Sequence, residues 1–481
     1  MRNKLSLIFL LLTAFAHAQQ IDSLKIQVGT MASFASKAFQ PLWIESNRFG
    51  LLSEEGADLA TFIGARNSHA FPTGKRDIRV EYGANIVNNQ HFNRVVIQQG
   101  YLKVRYGAFE LRGGRYQERL GDIDPLLSTG SLGVSGNALP IPKVGVALPT
   151  YTPVPFTNGW LQIKGLMSHG WMGEEQSMKR AWLHEKTFYA KLGNGPFKVY
   201  GGVQHFAIWG GERGRFVLDR SWKGFFDVLF VKEANDGSVP DGRRPNRAGA
   251  QRGLVEFGGD LEFDDVLWHM YFQVPFESGM GIDLRNIDRV GGLNVMLKNH
   301  RWLDRLMFEF IYTKQMESFQ DRELQSYYNN GVYSTGWEYH YRSVGTPLFL
   351  NLYRGSNFLP FNAVNWRHDN TGNMGNRNFI NNRIVGGHIG MLHRYAPGIV
   401  GRTMLTYTRN FGTHNNVITR SPRNQAYTLH EVAVDVKRIP GLQLSAGIAV
   451  DAGGFYDNVG GLLGIKYNVF GESPNMIRAG W

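Results

Sequence analysis

From Asp77 to Ile86 the chain alternates strictly: Ile78, Val80, Tyr82, Ala84 and Ile86 are apolar, while Asp77, Arg79, Glu81 and Asn85 are polar and Gly83 stands between. Successive side chains of a strand point to opposite faces, so the pattern predicts a strand with one greasy and one wet face. The same period recurs in Arg305 to Tyr312, where Leu306, Phe308, Phe310 and Tyr312 oppose Arg305 and Glu309. It recurs in Thr428 to Val436, with Val432, Val434 and Val436 facing away from Glu431 and Asp435, and in Leu442 to Val450. The last such segment is Val459 to Phe470, with Val459, Leu463, Ile465, Tyr467 and Val469 on one side.

Alternation suits a soluble sandwich or an outer-membrane barrel. In the sandwich the apolar face is the interior; in the barrel it meets lipid and the polar face lines the lumen. Full charges on the polar faces favour the barrel, because a packed sandwich core would not tolerate them unpaired. Tyr, Phe and Trp near segment ends fit aromatic girdles. At roughly 25 residues per strand with its share of turn, the chain holds about 16 to 18 strands. Short connections such as Tyr106-Gly107 and Asn194-Gly195-Pro196 suit periplasmic turns. Long ones, Glu233 to Arg252, Glu317 to Gly345 and Asn370 to Asn382, suit the outer face, where loops carry function. Pro149, Pro153 and Pro155 argue against a central paired strand in Lys143 to Thr157, which reads as a lumen constriction or as an ordinary structured loop.

The N-terminus reads as an export signal. Arg2 and Lys4 precede an apolar Leu5 to Phe15, and Ala16-His17-Ala18 fits the small-x-small cleavage pattern. Residues 1–18 are thus the expected signal peptide, and 19–481 one outer-membrane barrel domain of a Gram-negative cell. Its N-terminal part would be 19–76, with a short periplasmic helix at Gly56 to Gly64, and its tail 471–481. The chain has no cysteine, which excludes lipid attachment at the cut, disulfides and thiolate metal sites. Its 58 glycines in 481 residues exceed the average near ~7%. A net charge of +12 favours polyanions, which outside the inner membrane means lipopolysaccharide phosphates and acidic polysaccharides, with nucleic acid a poor partner.

Catalytic and cofactor motifs are missing: there is no P-loop, no G-x-S-x-G and no H-E-x-x-H. Asp122-x-Asp124, bracketed by Gly121 and Pro125, reads as a turn. The expectation is a binding protein with no cofactor and no metal. Three clusters combine aromatic and basic residues: Trp209, Arg213, Arg215 and Trp222; Tyr327, Tyr328, Trp337, Tyr339 and Arg342; and Trp366 with Arg367. Aromatic faces stack on sugar rings, and guanidinium forks take carboxylates in bidentate fashion. The same residues also fit an interfacial girdle with lumen arginines paired to carboxylates.

Gly114 to Ile163 departs from simple alternation, and its Gly121, Ser131-Leu132, Gly136-Asn137-Ala138 and Pro140-Ile141-Pro142 resemble the central region of the capsule assembly Wzi family. Tyr327 to Leu348 is similar to the family's loop-and-strand pattern, with Gly336-Trp337-Glu338-Tyr339 and a Gly345-Thr346-Pro347-Leu348 end. Pro41 to Gly50 resembles its opening strand. The resemblance implies an all-β transmembrane antiparallel barrel of about 18 strands, with short helical or irregular pieces at the periplasmic end or in the lumen. It implies lectin-like binding of capsular or extracellular polysaccharide, and no catalysis. A porin for anionic or sugar solutes, using inward Arg79, Arg105 and Arg305, is the alternative. A monomer is the simplest state for a barrel this wide.

Overall fold

The computed structural model describes residues 23–72, 77–214, 216–233, 247–277, 282–317, 324–359, 378–414, 421–471 and 477. The expected signal peptide lies outside them, as do Trp366 and Arg367, Arg215, and all of the tail beyond Gly471 except Ile477.

Eighteen antiparallel strands form one sheet that closes on itself. They are β1 (Lys25–Phe39), β2 (Glu55–Pro72), β3 (Asp77–Asn89), β4 (Arg94–Tyr106), β5 (Phe109–Arg115) and β6 (Lys143–Pro153). Next come β7 (Leu161–Trp171), β8 (Trp182–Leu192), β9 (Phe197–Trp209), β10 (Ala250–Glu262), β11 (Val266–Phe276) and β12 (Arg289–Leu297). The last six are β13 (Leu303–Tyr312), β14 (Ile384–Ala396), β15 (Ile399–Asn410), β16 (Arg423–Asp435), β17 (Leu442–Gly453) and β18 (Asn458–Phe470). Each strand pairs with its sequence neighbours, and β1 pairs with β18 to leave no free edge. Closure leaves the sheet no open edge toward lipid, which lipid demands.

The period-two segments lie within β3, β13, β16, β17 and β18, and their faces sort as the alternation requires. Outward stand Phe308, Phe310, Leu444, Ile448, Leu463 and Ile465, all exposed; inward stand Glu309, Glu431, Gln443 and Ser445, all buried. The connections sort by rim. The connections after β3, β5, β7, β9 and β13 leave one end of the barrel, and short turns such as 107–108, 193–196 and 397–398 leave the other. Short turns and both chain ends mark the periplasmic rim, as in other outer-membrane barrels.

The long connections do not stay outside. Residues 40–54, 116–142 and 324–359 turn back into the lumen as a plug, and Trp43, Leu52, Leu127, Leu132, Trp337 and Phe379 join one buried cluster with wall residues. Four expectations are corrected here. Gly56 to Gly64 is the start of strand β2, not a helix, because Ala57, Leu59 and Thr61 pair directly with β1. Pro41 to Gly50 is not a strand: Leu42–Glu45 forms α1, a short buried helix at the long-loop rim, opposite the chain ends. Lys143 to Thr157 is neither plug nor loop, since Lys143–Pro153 is β6. The neighbouring β4–β5 turn is passed after Ala147, so Pro149 and Pro153 face no partner on that side, and the register to β7 shifts between Leu148 and Thr152. Finally, Glu317 to Gly345 is not an outer loop throughout: residues 327–329 and 333–339 are buried inside the barrel, while Leu324 and Gly331 are exposed and His340 and Tyr341 reach the outer rim.

If Ile448 faces lipid near mid-strand, Ile448→Arg should cost about 2–4 kcal/mol in bilayer unfolding experiments. Phe92→Arg, in the outer 90–93 turn, should stay within about 0.5 kcal/mol. Equal costs would contradict the assigned face.

Candidate functional site at the outer mouth

The wall puts carboxylates into the lumen, and the plug supplies their partners. Glu431 of β16 receives Arg48 of the plug at 2.7 Å and Arg402 of β15 at 2.6 Å. Glu309 of β13 accepts from Ser128 Oγ at 2.7 Å and from the Thr129 amide at 3.2 Å. Asp451 takes the Leu42 amide at 2.8 Å. The exchange also runs the other way. Asp124 of the plug binds Arg305 of the wall at 2.6 Å, Asp122 binds Lys164, and Glu118 binds Lys143 at 2.5 Å and Arg112 at 2.9 Å. Asp122-x-Asp124 is therefore an anchor as well as a turn, with Asp124 also capping the Leu126 and Leu127 amides at 2.8 Å. Arg305, a candidate for a conducting lumen, is held by this anchor.

Four of the eleven sequence-predicted binding residues, Tyr327, Tyr328, Trp337 and Arg342, are inside the plug. Tyr327 donates to Asp288 at 2.7 Å. Tyr328 donates to the Leu132 carbonyl at 2.8 Å and accepts from the Thr346 amide at 3.1 Å. Trp337, fully buried, donates its indole N–H to the Gly133 carbonyl at 2.7 Å, with the Arg252 guanidinium 5.1 Å over its ring. Gly336 precedes it at φ +64, where a Cβ would strike the Tyr328 carbonyl. Arg342 is clamped by Glu45 at 2.5 Å and by the Glu45 and Leu52 carbonyls. The structure thus brings Tyr327, Tyr328, Trp337 and Arg342 together as the framework that locks 324–359 against 40–54 and 116–142. Trp209 and Trp222 lie elsewhere, on the outside of the wall, and half-buried Arg213 joins the plug through Ser334 at 3.2 Å. Arg215, Trp366 and Arg367 lie outside the described residues.

Tyr339 leads to the solvent. Its hydroxyl accepts from Arg115 Nη2 at 3.0 Å, and its ring meets His340 edge-on at 4.4 Å. His340 Nδ1 lies 2.7 Å from Glu175 and 3.5 Å from Arg94 Nη2. Beyond it, Tyr341 packs on Tyr353 with ring centroids 4.6 Å apart. Arg94, His340, Tyr341, Tyr353 and Glu54 line a shallow depression of about 40 Å³ at the outer rim. His340 and Tyr341 both have positive φ, +48° and +69°, a conformation that bulky residues adopt only when their surroundings enforce it. Half-buried guanidinia beside two half-buried aromatic rings form a surface suited to a sugar ring bearing a carboxylate. Sequence reasoning missed Arg94, Arg115, Glu54 and Tyr353, because each comes from a different segment. The one local sign was the tight turn before Arg94.

Burial and the nearby Glu45 charge push Glu54 up to about 7, against the pull of Arg342 and Arg354. Glu277, buried beside Arg252, is also raised to about 7. Among the described residues no group of three or more His, Cys, Asp or Glu side chains could hold a metal ion.

Residues 68–349 match the family described as Capsule assembly protein Wzi. The fold is similar to that of Escherichia coli Wzi, an outer membrane protein involved in group 1 capsule assembly and described as a carbohydrate-binding β-barrel. The TM-score is 0.57 at 15% identity, covering 92% of this chain and 85% of that one. Two Pseudomonas aeruginosa barrels resemble it more loosely. OpdQ has a TM-score of 0.49 at 8% identity over 93% of this chain and 97% of its own, and OpdL 0.48 at 8% over 93% and 98%. No curated protein matches the chain.

Two outcomes test this site. Glu45→Ala leaves Arg342 and Arg354 buried without their carboxylate, which should destabilise the plug by about 3–5 kcal/mol. Planar bilayers should show a closed wild type and a conducting variant; two equally closed proteins would argue against the clamp. For Glu54, a raised value means that the stability from its neutral form is full below its ordinary 4.5 and is lost as pH rises through about 7. Glu54→Gln should therefore match wild type at pH 4 and exceed it by about 3 kcal/mol at pH 8 in denaturant unfolding.

Proposed function

The chain belongs to the capsule assembly protein Wzi family, and from that premise we propose that it is an outer-membrane lectin-like protein. It binds capsular or extracellular polysaccharide at the cell surface and helps to assemble or retain it, without turnover. The observation that carries this reading is the outer mouth, where Arg94, Arg115, Tyr341 and Tyr353 face solvent above a lumen filled by the plug. An acidic polymer is favoured by the rim guanidinia of Arg94 and Arg115 and by the net charge of +12. Export through a signal peptide at residues 1–18 and a monomeric state complete the proposal.

A filled lumen disfavours the porin alternative, because wall arginines that would serve a conducting channel are engaged: Arg305 by Asp124 and Arg105 by Glu110 at 2.9 Å. The two readings separate in one experiment. Arg94→Ala with Arg115→Ala and Tyr353→Ala should weaken capture of capsular polysaccharide, purified from the same cells, by about tenfold or more, with ~0.5–1 kcal/mol lost per contact. Protein level and closure in planar bilayers should not change. Unaltered capture by the triple variant, or a wild type with steady conductance indifferent to polymer, would overturn the lectin reading.

A further inference from the structure

One stretch of the outer wall carries polar side chains at lipid-facing positions. Cross-strand register places Met167, His169 and Trp171 of β7, Trp182, His184, Lys186 and Phe188 of β8, and Val203, His205, Ala207 and Trp209 of β9 on a single outward face. Gln251 of β10, opposite Ala207, continues it. Three histidines, a lysine and a glutamine stand in this row among its aromatic and aliphatic side chains. His184 and His205 are nonetheless buried. The cover is α2 (Trp222–Leu229), which follows β9 and lies on the outside of the barrel below the outer rim. Phe225 of this helix packs on His169 at 6.1 Å, His184 at 5.7 Å and Trp209 at 6.0 Å. Its last turn accepts the Lys186 ammonium on the Leu229 carbonyl. His205 lies four residues inside the strand end, so the helix reaches about 14 Å below the rim.

The helix is shaped to stay there. Ser221 caps its start, accepting from the Gly224 amide at 3.2 Å. Its end is closed by bonds from Val231 to Val228 at 3.2 Å and from Lys232 to Asp227 at 2.8 Å. This closure holds Val231 at φ +55, a position where glycine is usual and a β-branched residue is strained. Having covered the polar row, the helix turns a second apolar face away from the wall. Trp222 is 79% exposed, Phe230 64% and Phe226 48%, and the neighbouring hairpin adds Phe216 and Val217. That face is continuous with Trp171, Phe188 and Val203 of the lipid-facing belt, which are also exposed. Cations and carboxylates border it. Lys223 and Lys232 share Asp227, and Arg180 and Arg220 share Glu212, with Glu174 also near Arg180 and Asp219 near the helix start.

We propose that this helix is a lipopolysaccharide-binding element of the outer leaflet. Its Trp222, Phe226 and Phe230 face lies among the acyl chains, and Lys223, Lys232 and Arg220 meet the phosphates of the glycolipid. The exposed aromatics supply the apolar contact, and the charge contact comes from Lys223 and Lys232, which stand exposed while the Asp227 they share is largely covered. The site is separate from the polysaccharide-binding mouth and does not rest on it.

The cysteine-free chain allows unique labelling. Full-length Phe226→Cys and Phe230→Cys proteins, spin-labelled and reconstituted in bilayers, should show oxygen-accessible, nickel-excluded sites, with Asn194→Cys in a periplasmic turn as the aqueous control. Water-exposed labels at 226 and 230, or labels shielded from both reagents by another protein or a second copy, would overturn the proposal. Thermal unfolding should then shift upward more with purified lipopolysaccharide than with phosphatidylglycerol at equal charge. Lys223→Ala with Lys232→Ala should remove most of that difference. An equal response to both lipids, or one indifferent to the lysines, would overturn the lipopolysaccharide assignment.

Discussion

A barrel wall that turns Glu309, Glu431 and Asp451 into its lumen has to find partners for them, and everything inside this molecule follows from that demand. A carboxylate removed from water costs several kcal/mol unless it is paired and hydrogen-bonded. The plug meets the cost with Arg48, the Leu42 amide, and the hydroxyl and amide groups of Ser128 and Thr129. Reciprocal pairs, Asp124 with Arg305 and Glu118 with Lys143, tie it to other parts of the wall. The plug is thus cross-linked around the circumference by polar contacts, while Trp43, Leu127 and Trp337 fill the space between.

The wall was legible because its signal is local. Alternation in β3, β13, β16, β17 and β18 names the lipid face residue by residue, and Phe308, Ile448 and Leu463 stand outward as that alternation requires. The plug was not legible, because it has no period. Its order comes from contacts such as Trp337 to the Gly133 carbonyl and Arg342 to Glu45, which join residues hundreds of positions apart. An aromatic-basic cluster in sequence therefore reads equally well as a binding surface or as a framework. Tyr327, Tyr328, Trp337 and Arg342 are framework. Pro149 misled for a related reason: a proline is excluded from a paired edge, and only the structure shows that β5 has already turned away. Of the rim residues Arg94, Arg115 and Tyr353, only Arg94 carries a local sign, the turn before it, since two strand ends and a connection far apart in the chain bring them to the mouth.

Framework and mouth are mechanically one object. Glu45 holds Arg342 and Arg354, Arg342 adjoins Tyr341, and Arg354 adjoins Tyr353, so the clamp below fixes the aromatic pair above. A rigid, pre-formed pair of rings loses little freedom on binding, which suits a surface meant to hold a polymer through many weak contacts.

The central claim is that a closed barrel holds acidic polysaccharide at its outer mouth. Its most direct test is surface plasmon resonance of the protein in nanodiscs, with capsular polysaccharide compared against the same polymer after chemical reduction of its carboxyl groups. The account predicts saturable binding of the native polymer that falls sharply on reduction. Equal binding of both polymers, or binding of neither, would contradict it.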